Sequence, residues 1–228
     1  MNAAALFSGG KDSTYALYLA LKQHDVKCLL TLVSENPESY MFHVPNIEFT
    51  KEQAKAIGMP LLMAKTKGKK EVELEDLRAL IIIAKEKYDI KMIVAGAIAS
   101  KYQKERVQTI CADLELELFA PLWGVDAESY INDIIKNKFK VIITAVSADG
   151  LDKSFLGKVI DDDIIKKLKD ISKKTGIHLA GEGGEYETFV LDGPIFRKKL
   201  VIENAEINME KENAGVYNIK KIKLMNKN

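Results

Sequence analysis

The chain has 228 residues, of which 47% are hydrophobic and 29% charged, with a formal net charge of +1. That length can bury a substantial core, and the composition excludes disordered and fibrous classes. The balanced charge carries no polyanion-binding signature, so nucleic acid is not an expected partner. No apolar run approaches a membrane span, and no basic-then-apolar leader precedes the first strand, so a cytoplasmic protein is expected. Cys28 and Cys111 lie far apart without metal-ligand spacing and are expected to be buried as small hydrophobes.

In chain order, the first half alternates short apolar runs with amphipathic stretches, the pattern of βαβ units and a parallel sheet. Strands are expected at 3–7, 26–33, 60–64, 91–95 and 117–120. Helices are expected at 12–23, 47–57, 71–87 and 100–113, the third opening with acidic residues that suit the helix dipole. A long loop, 34–45, follows the second strand. After Pro121 the rhythm weakens, with helices expected at 126–136 and 161–175 and strands at 139–147 and 188–191. Two alternating runs flanking Asn213-Ala214-Gly215 predict a terminal hairpin. The expected fold is α/β: a doubly wound, mostly parallel sheet over residues 1–120, then a smaller α+β part over 121–228.

Ser8-Gly9-Gly10-Lys11-Asp12-Ser13 follows a strand and opens a helix, which is the context a phosphate site needs. Paired glycines let the backbone turn sharply and approach an anion, while N–H groups at the helix start point toward it. Ser8 and Ser13 add hydroxyls and Lys11 adds charge. Asp12 beside a phosphate would be repelled unless a cation intervenes, so Mg²⁺ held by Asp12 is the natural inference. The spacing is neither that of a Walker A loop nor that of the dinucleotide fingerprint.

The second concentration of chemistry is Gly181-Glu182-Gly183-Gly184-Glu185-Tyr186-Glu187-Thr188. Three carboxylates within six residues, separated by glycines, repel one another unless a cation or donor sits among them. A metal is one possible counter-charge and ammonium is another. No Ser-His-Asp or Cys-His relay is visible. Adenylation chemistry needs none, only an in-line acceptor and charge neutralisation at the phosphates.

The hexapeptide resembles the PP-loop of the N-type ATP pyrophosphatases, which cleave ATP to AMP and pyrophosphate while adenylating a substrate. Within that superfamily the acidic glycine segment is similar to a hallmark of the diphthine–ammonia ligases, or diphthamide synthases. Agreement extends to Ser34-Glu35-Asn36, to Tyr40 and His43, and to Gly96-Ala97-Ile98 with Ser100, Tyr102-Gln103 and Arg106. It also takes in Pro121-Leu122-Trp123 and Gly150-Leu151-Asp152, and so runs over nearly the whole chain.

The resemblance implies an adenine-nucleotide α-hydrolase-like fold, its parallel sheet in the order 3-2-1-4-5, with ATP and Mg²⁺ as cofactors. The partners would be ammonium and diphthine-bearing translation elongation factor 2, and the acceptor would pass through an acyl-adenylate. Nucleotide contacts would fall to Ser8, Gly9, Gly10, Lys11, Asp12, Ser13, Gly96 and Ala97. Catalysis would fall to Lys11, Asp12, Glu182, Glu185 and Glu187. Substrate contacts would fall to Tyr40, His43, Tyr102, Gln103, Arg106, Trp123, Gly183, Gly184, Tyr186 and Thr188. Tyr186, Trp123 and Tyr40 are candidate aromatic walls for the trimethylammonium of diphthine. The chain resembles the compact archaeal form, and eukaryotic relatives are expected to carry extra C-terminal domains. A homodimer stays open as its assembly.

Competing readings attach to several of these residues. Gly96 could serve close helix–strand packing, Arg106 a surface salt bridge, and His43 a loop packed by its own aromatics. His24 and His178 are expected to be structural. Two other functions share the first motif. One is a tRNA-modifying PP-loop enzyme, disfavoured by the cysteine positions and the balanced charge. The other is a non-catalytic nucleotide sensor, which would not need both Asp12 and the acidic segment.

Overall fold

The computed structural model describes residues 1–36, 45–69, 71–98 and 100–227, without the side chain of Gln103. The first half builds a parallel sheet from β1 (Asn2–Leu6), β2 (Asp25–Ser34), β3 (Leu61–Thr66), β4 (Met92–Val94) and β5 (Glu117–Phe119). Its order is β3-β2-β1-β4-β5, as expected. Both faces are covered, which is why the strands read as nearly continuous apolar runs rather than alternating ones. Helices α1 (Lys11–Ala20), α2 (Thr50–Ile57), α3 (Val72–Tyr88) and α4 (Lys101–Asp113) are the crossovers. The alanines of β1 show the two faces plainly. Ala3 and Ala5 enter one apolar core with α1, while Ala4 enters a second with α3 and α4.

The second half is an antiparallel sheet of order β7-β6-β9-β8. It comprises β6 (Lys140–Ser147), β7 (Tyr186–Asp192), β8 (Lys198–Lys211) and β9 (Ala214–Asn226), with α5 (Ala127–Lys136) and α6 (Asp162–Thr175). Asp126 and Asp161 cap α5 and α6, accepting from the N–H groups of Ser129 and Ile164 at 2.9 Å each. The apolar stripes of both helices join the core that holds α1, so the two halves share one interior.

Two expectations are corrected. The segment 47–57 opens as a 3-10 turn, Ile47–Phe49, and becomes α-helical only at Thr50. The terminal hairpin turns at Glu212-Asn213, so Ala214 and Gly215 lie inside β9. Gly215 pairs with Met209 across the hairpin, where a Cβ would strike the Asn208 carbonyl at 2.8 Å. That glycine serves close strand approach and not the turn.

Cys28 and Cys111 are free and buried in the second core. Burial pushes their thiols up to about 11 and about 12. His24 stacks edge-on against Phe119 at 4.8 Å. The backbone N–H of His178 binds the Glu185 carboxylate, and its Nδ1 accepts from the Ala180 N–H. Among the described residues, no helix is long and apolar enough to cross a membrane.

Candidate active site

The site lies where the loop after β1 meets the start of β7. Gly9 takes φ +79°, the left-handed region where glycine carries no steric penalty. Gly10 is extended and stands at the N-cap of α1, where it has no side chain to cap the helix. A helix start preceded by glycines turns backbone N–H groups toward a space that an anion can enter. Ser8 and Ser13 face each other with hydroxyls 3.1 Å apart, and the Ser13 hydroxyl accepts from the Ser8 N–H at 3.2 Å. The loop is therefore pre-shaped by its own side chains.

Three contacts from other elements fix it in place. The Lys11 N–H donates to Thr188 Oγ1 on β7 at 3.1 Å. The Val190 N–H donates to the Gly9 carbonyl at 3.0 Å. Gln53 Nε2 on α2 donates to the carbonyls of both Gly9 and Val190, at 2.9 and 2.8 Å. Gln53 escapes the sequence reading because nothing local marks it. Its only sign is a fully buried amide on an otherwise ordinary helix.

Lys11 is buried, with its ammonium 2.9 Å from Asp12 Oδ2 and 5.4 Å from the centroid of the Tyr186 ring. Burial works against the charge. The Asp12 carboxylate and the electron-rich surroundings outweigh it, holding the ammonium above its ordinary range. The other Asp12 oxygen accepts from the buried Tyr130 hydroxyl of α5 at 2.7 Å. Burial first, and Asp12 next, push that phenol well above its ordinary value, so it remains a donor.

The three acids of the glycine segment separate into different roles. Glu185 turns onto its own loop, accepting from the N–H groups of His178 at 2.7 Å and Gly183 at 2.8 Å. Glu187 is half-buried close to Lys11, Asp12 and Glu182. Burial raises its carboxyl to about 7; Lys11 opposes the rise, and Asp12 and Glu182 add to it. Glu182 borders an open cleft of about 730 Å³, shared with Tyr102, Gly183, Glu185 and the start of α5. Gly184, exposed with φ +81°, makes the turn into β7. The Tyr186 hydroxyl donates to the Leu179 carbonyl at 2.7 Å, and its ring serves Lys11.

Other predicted residues find partners of their own. A Cβ on Gly96 would lie 2.7 Å from the Asp12 carbonyl carbon and the Ser13 nitrogen. Gly96 thus lets the end of β4 press against the helix start, with Ala97 half-buried beside it. Arg106 stacks on Tyr102 at 3.4 Å and pairs with Glu71 at 3.1 Å, the i, i+4 neighbourhood its spacing predicts. Trp123 already holds a cation on its face, the Lys104 ammonium at 4.1 Å. Tyr40, His43 and the Gln103 side chain lie outside the described residues. Among the described residues, no cluster of three metal-ligating side chains occurs.

Family models match both halves of the chain. Residues 1–118 match the model of the diphthamide synthase N-terminal domain, and residues 126–225 that of the C-terminal domain. The chain is 36% identical to the mouse diphthine–ammonia ligase, over 94% of this chain and 87% of that one. It is 36% identical to the human one, over 91% of this chain and 85% of that one. For the fission yeast diphthine–ammonia ligase the identity is 33%, over 91% of this chain but 37% of that protein. The expectation that eukaryotic relatives are longer thus fits the yeast protein and fails for the mammalian ones. Matched over 1–118 and 126–225 by the two domain models and over at least 91% of its length by these relatives, the chain belongs to the diphthamide synthase family.

Proposed function

We propose that this chain is an ATP-dependent diphthine–ammonia ligase acting on translation elongation factor 2 in the cytoplasm. The observation that carries the reading is the bond from the Lys11 N–H to Thr188 Oγ1. It joins the phosphate loop to the acidic glycine segment, so nucleotide and acceptor chemistry share one site.

In this reading ATP is a substrate. The diphthine carboxylate attacks the α-phosphorus, the α–β bond breaks, and pyrophosphate leaves. Ammonia then attacks the acyl carbon of the acyl-adenylate, forming the amide and releasing AMP. Ser8, Gly9, Gly10, Ser13 and the start of α1 hold the phosphates, and Lys11 offsets charge at the breaking bond. Gly96 and Ala97 shape the wall beside them.

The residues fit Mg²⁺, which binds proteins through one or two carboxylates together with substrate phosphates. Asp12 supplies that carboxylate, and the ion would add further positive charge at the phosphates.

On the acceptor side, Glu182, Gly183, Gly184, Tyr186, Thr188, Tyr102 and Trp123 line the approach. Tyr40, His43, Gln103 and Arg106 are assigned to substrate contact on the family resemblance alone. Glu187 titrates near neutrality and is matched to take the proton that ammonium must lose before attack. Glu185 shapes the acidic loop.

The test is incubation with ATP, Mg²⁺, ammonium and diphthine-bearing elongation factor 2. AMP release that requires that acceptor, with amide formation seen by mass spectrometry, is expected. Release driven by tRNA instead, or no release, overturns the assignment.

A further inference from the structure

We infer that Tyr130 is a positioning residue for the nucleotide site, fixing the Asp12 carboxylate from the C-terminal half of the chain. Tyr130 lies one turn into α5 and is 1% exposed. Its ring packs edge-on against Tyr15 at 5.6 Å, a contact that phenylalanine would make equally well. The hydroxyl is what packing does not explain. It donates to Asp12 Oδ1 at 2.7 Å, while Oδ2 takes the Lys11 ammonium at 2.9 Å.

An aspartate in the first turn of a helix has two soft side-chain torsions. With Lys11 alone as partner, its carboxylate could rotate about that single ion pair. With a separate partner on each oxygen, the plane of the carboxylate is set before any ligand arrives. The second anchor belongs to an element remote in sequence, so the charge arrangement of the phosphate loop is completed only when α5 is docked. A short bond from a neutral, buried phenol suits this purpose, because it orients the carboxylate without adding charge.

This inference rests on the reading that Asp12 belongs to the nucleotide site. The experiment measures Mn²⁺ binding, by the electron paramagnetic resonance of the free ion, to the protein with a non-hydrolysable ATP analogue. Thermal unfolding is followed in parallel. Tyr130→Phe is expected to weaken ion binding about tenfold, while moving the thermal midpoint by no more than about 4 °C. Tyr15→Phe, which removes a hydroxyl bonded to Asn137 in the same aromatic cluster, is expected to bind the ion as the natural protein does.

In an Asp12→Asn background, Tyr130→Phe should add nothing further. Unchanged ion binding in Tyr130→Phe overturns the inference, as do equal losses in both tyrosine variants or additive losses in the Asp12→Asn background. Failure of the natural protein to bind the analogue overturns the nucleotide reading instead, so the two failures are distinguishable.

Discussion

Gln53 and Gly9 are fitted to each other across 44 residues of chain. The Gln53 amide nitrogen donates to the Gly9 carbonyl at 2.9 Å, and its oxygen occupies the space a Cβ on Gly9 would need. That oxygen is buried with no hydrogen-bond partner among the described residues. It faces the Gly9 Cα–H, a weak donor. Gly9 is therefore required twice, by its backbone angle and by its neighbour.

Replacing Gly9 by alanine should accordingly be severe. The positive φ costs about 1–2 kcal/mol for an L-residue, and displacement of Gln53 would take its donor from the Val190 carbonyl, at about 1–3 kcal/mol, leaving the Gly9 carbonyl with the Val190 N–H. A lowered thermal midpoint and loss of ATP binding by titration calorimetry are expected. Gln53→Leu should reproduce part of the stability loss. A fully stable Gly9→Ala protein would refute the fit.

Lys11→Met tests the ammonium at the phosphates. AMP formation should fall by about two to three orders of magnitude, the scale found when one preorganised charge-stabilising donor is removed. Because Lys11 opposes the upward shift of Glu187, its loss should also raise the pH at which Glu187 titrates. Carbon-detected NMR of labelled carboxyls would read that change.

Glu187 makes stability depend on pH in a stated direction. Its ordinary value is 4.5 and the fold raises it to about 7. Below about 4.5 it is protonated in both states and carries no penalty. As pH rises from there to about 7, the unfolded chain ionises while the folded one resists, and the stability this group contributes is lost, by on the order of 3 kcal/mol. Thermal midpoints measured from pH 4 to 8 should fall less steeply in Glu187→Gln than in the natural protein. Parallel curves would overturn the assignment.

Glu185→Ala should separate loop shape from nucleotide chemistry. It removes the acceptor for two backbone N–H groups, at about 1–3 kcal/mol. Acceptor-dependent turnover should drop while ATP binding persists, because no Glu185 bond reaches the phosphate loop. Equal loss of both would show that the two motifs cannot be separated.

The cysteines offer a simple check on burial. With both thiols in the core and raised by it, a thiol reagent at pH 8 should modify neither Cys28 nor Cys111 until denaturant is added. Rapid modification in the native state would contradict the packing of the second core.

The sequence by itself determined what is local. Strand and helix periods are written in consecutive residues, so βαβ units and a parallel sheet could be read from the alternation of apolar runs, whereas the order of the strands came with the family resemblance. The phosphate loop is equally local, since its glycines, hydroxyls and lysine act within one turn. So is the acidic glycine segment as a concentration of charge. The hairpin turn was misjudged because Asn-Ala-Gly reads as a turn, whereas Gly215 is demanded by Met209 on the opposite strand.

Only the tertiary structure decided the surroundings of each acid. Glu185 and Glu187 are two residues apart and look alike in sequence. One is consumed by backbone N–H groups, and the other is held near neutrality by burial beside Asp12 and Lys11. Gln53 and Tyr130 likewise owe their roles to the packing of α2 and α5 against the phosphate loop. Hydrogen bonding and desolvation act through space, and no spacing along the chain records them.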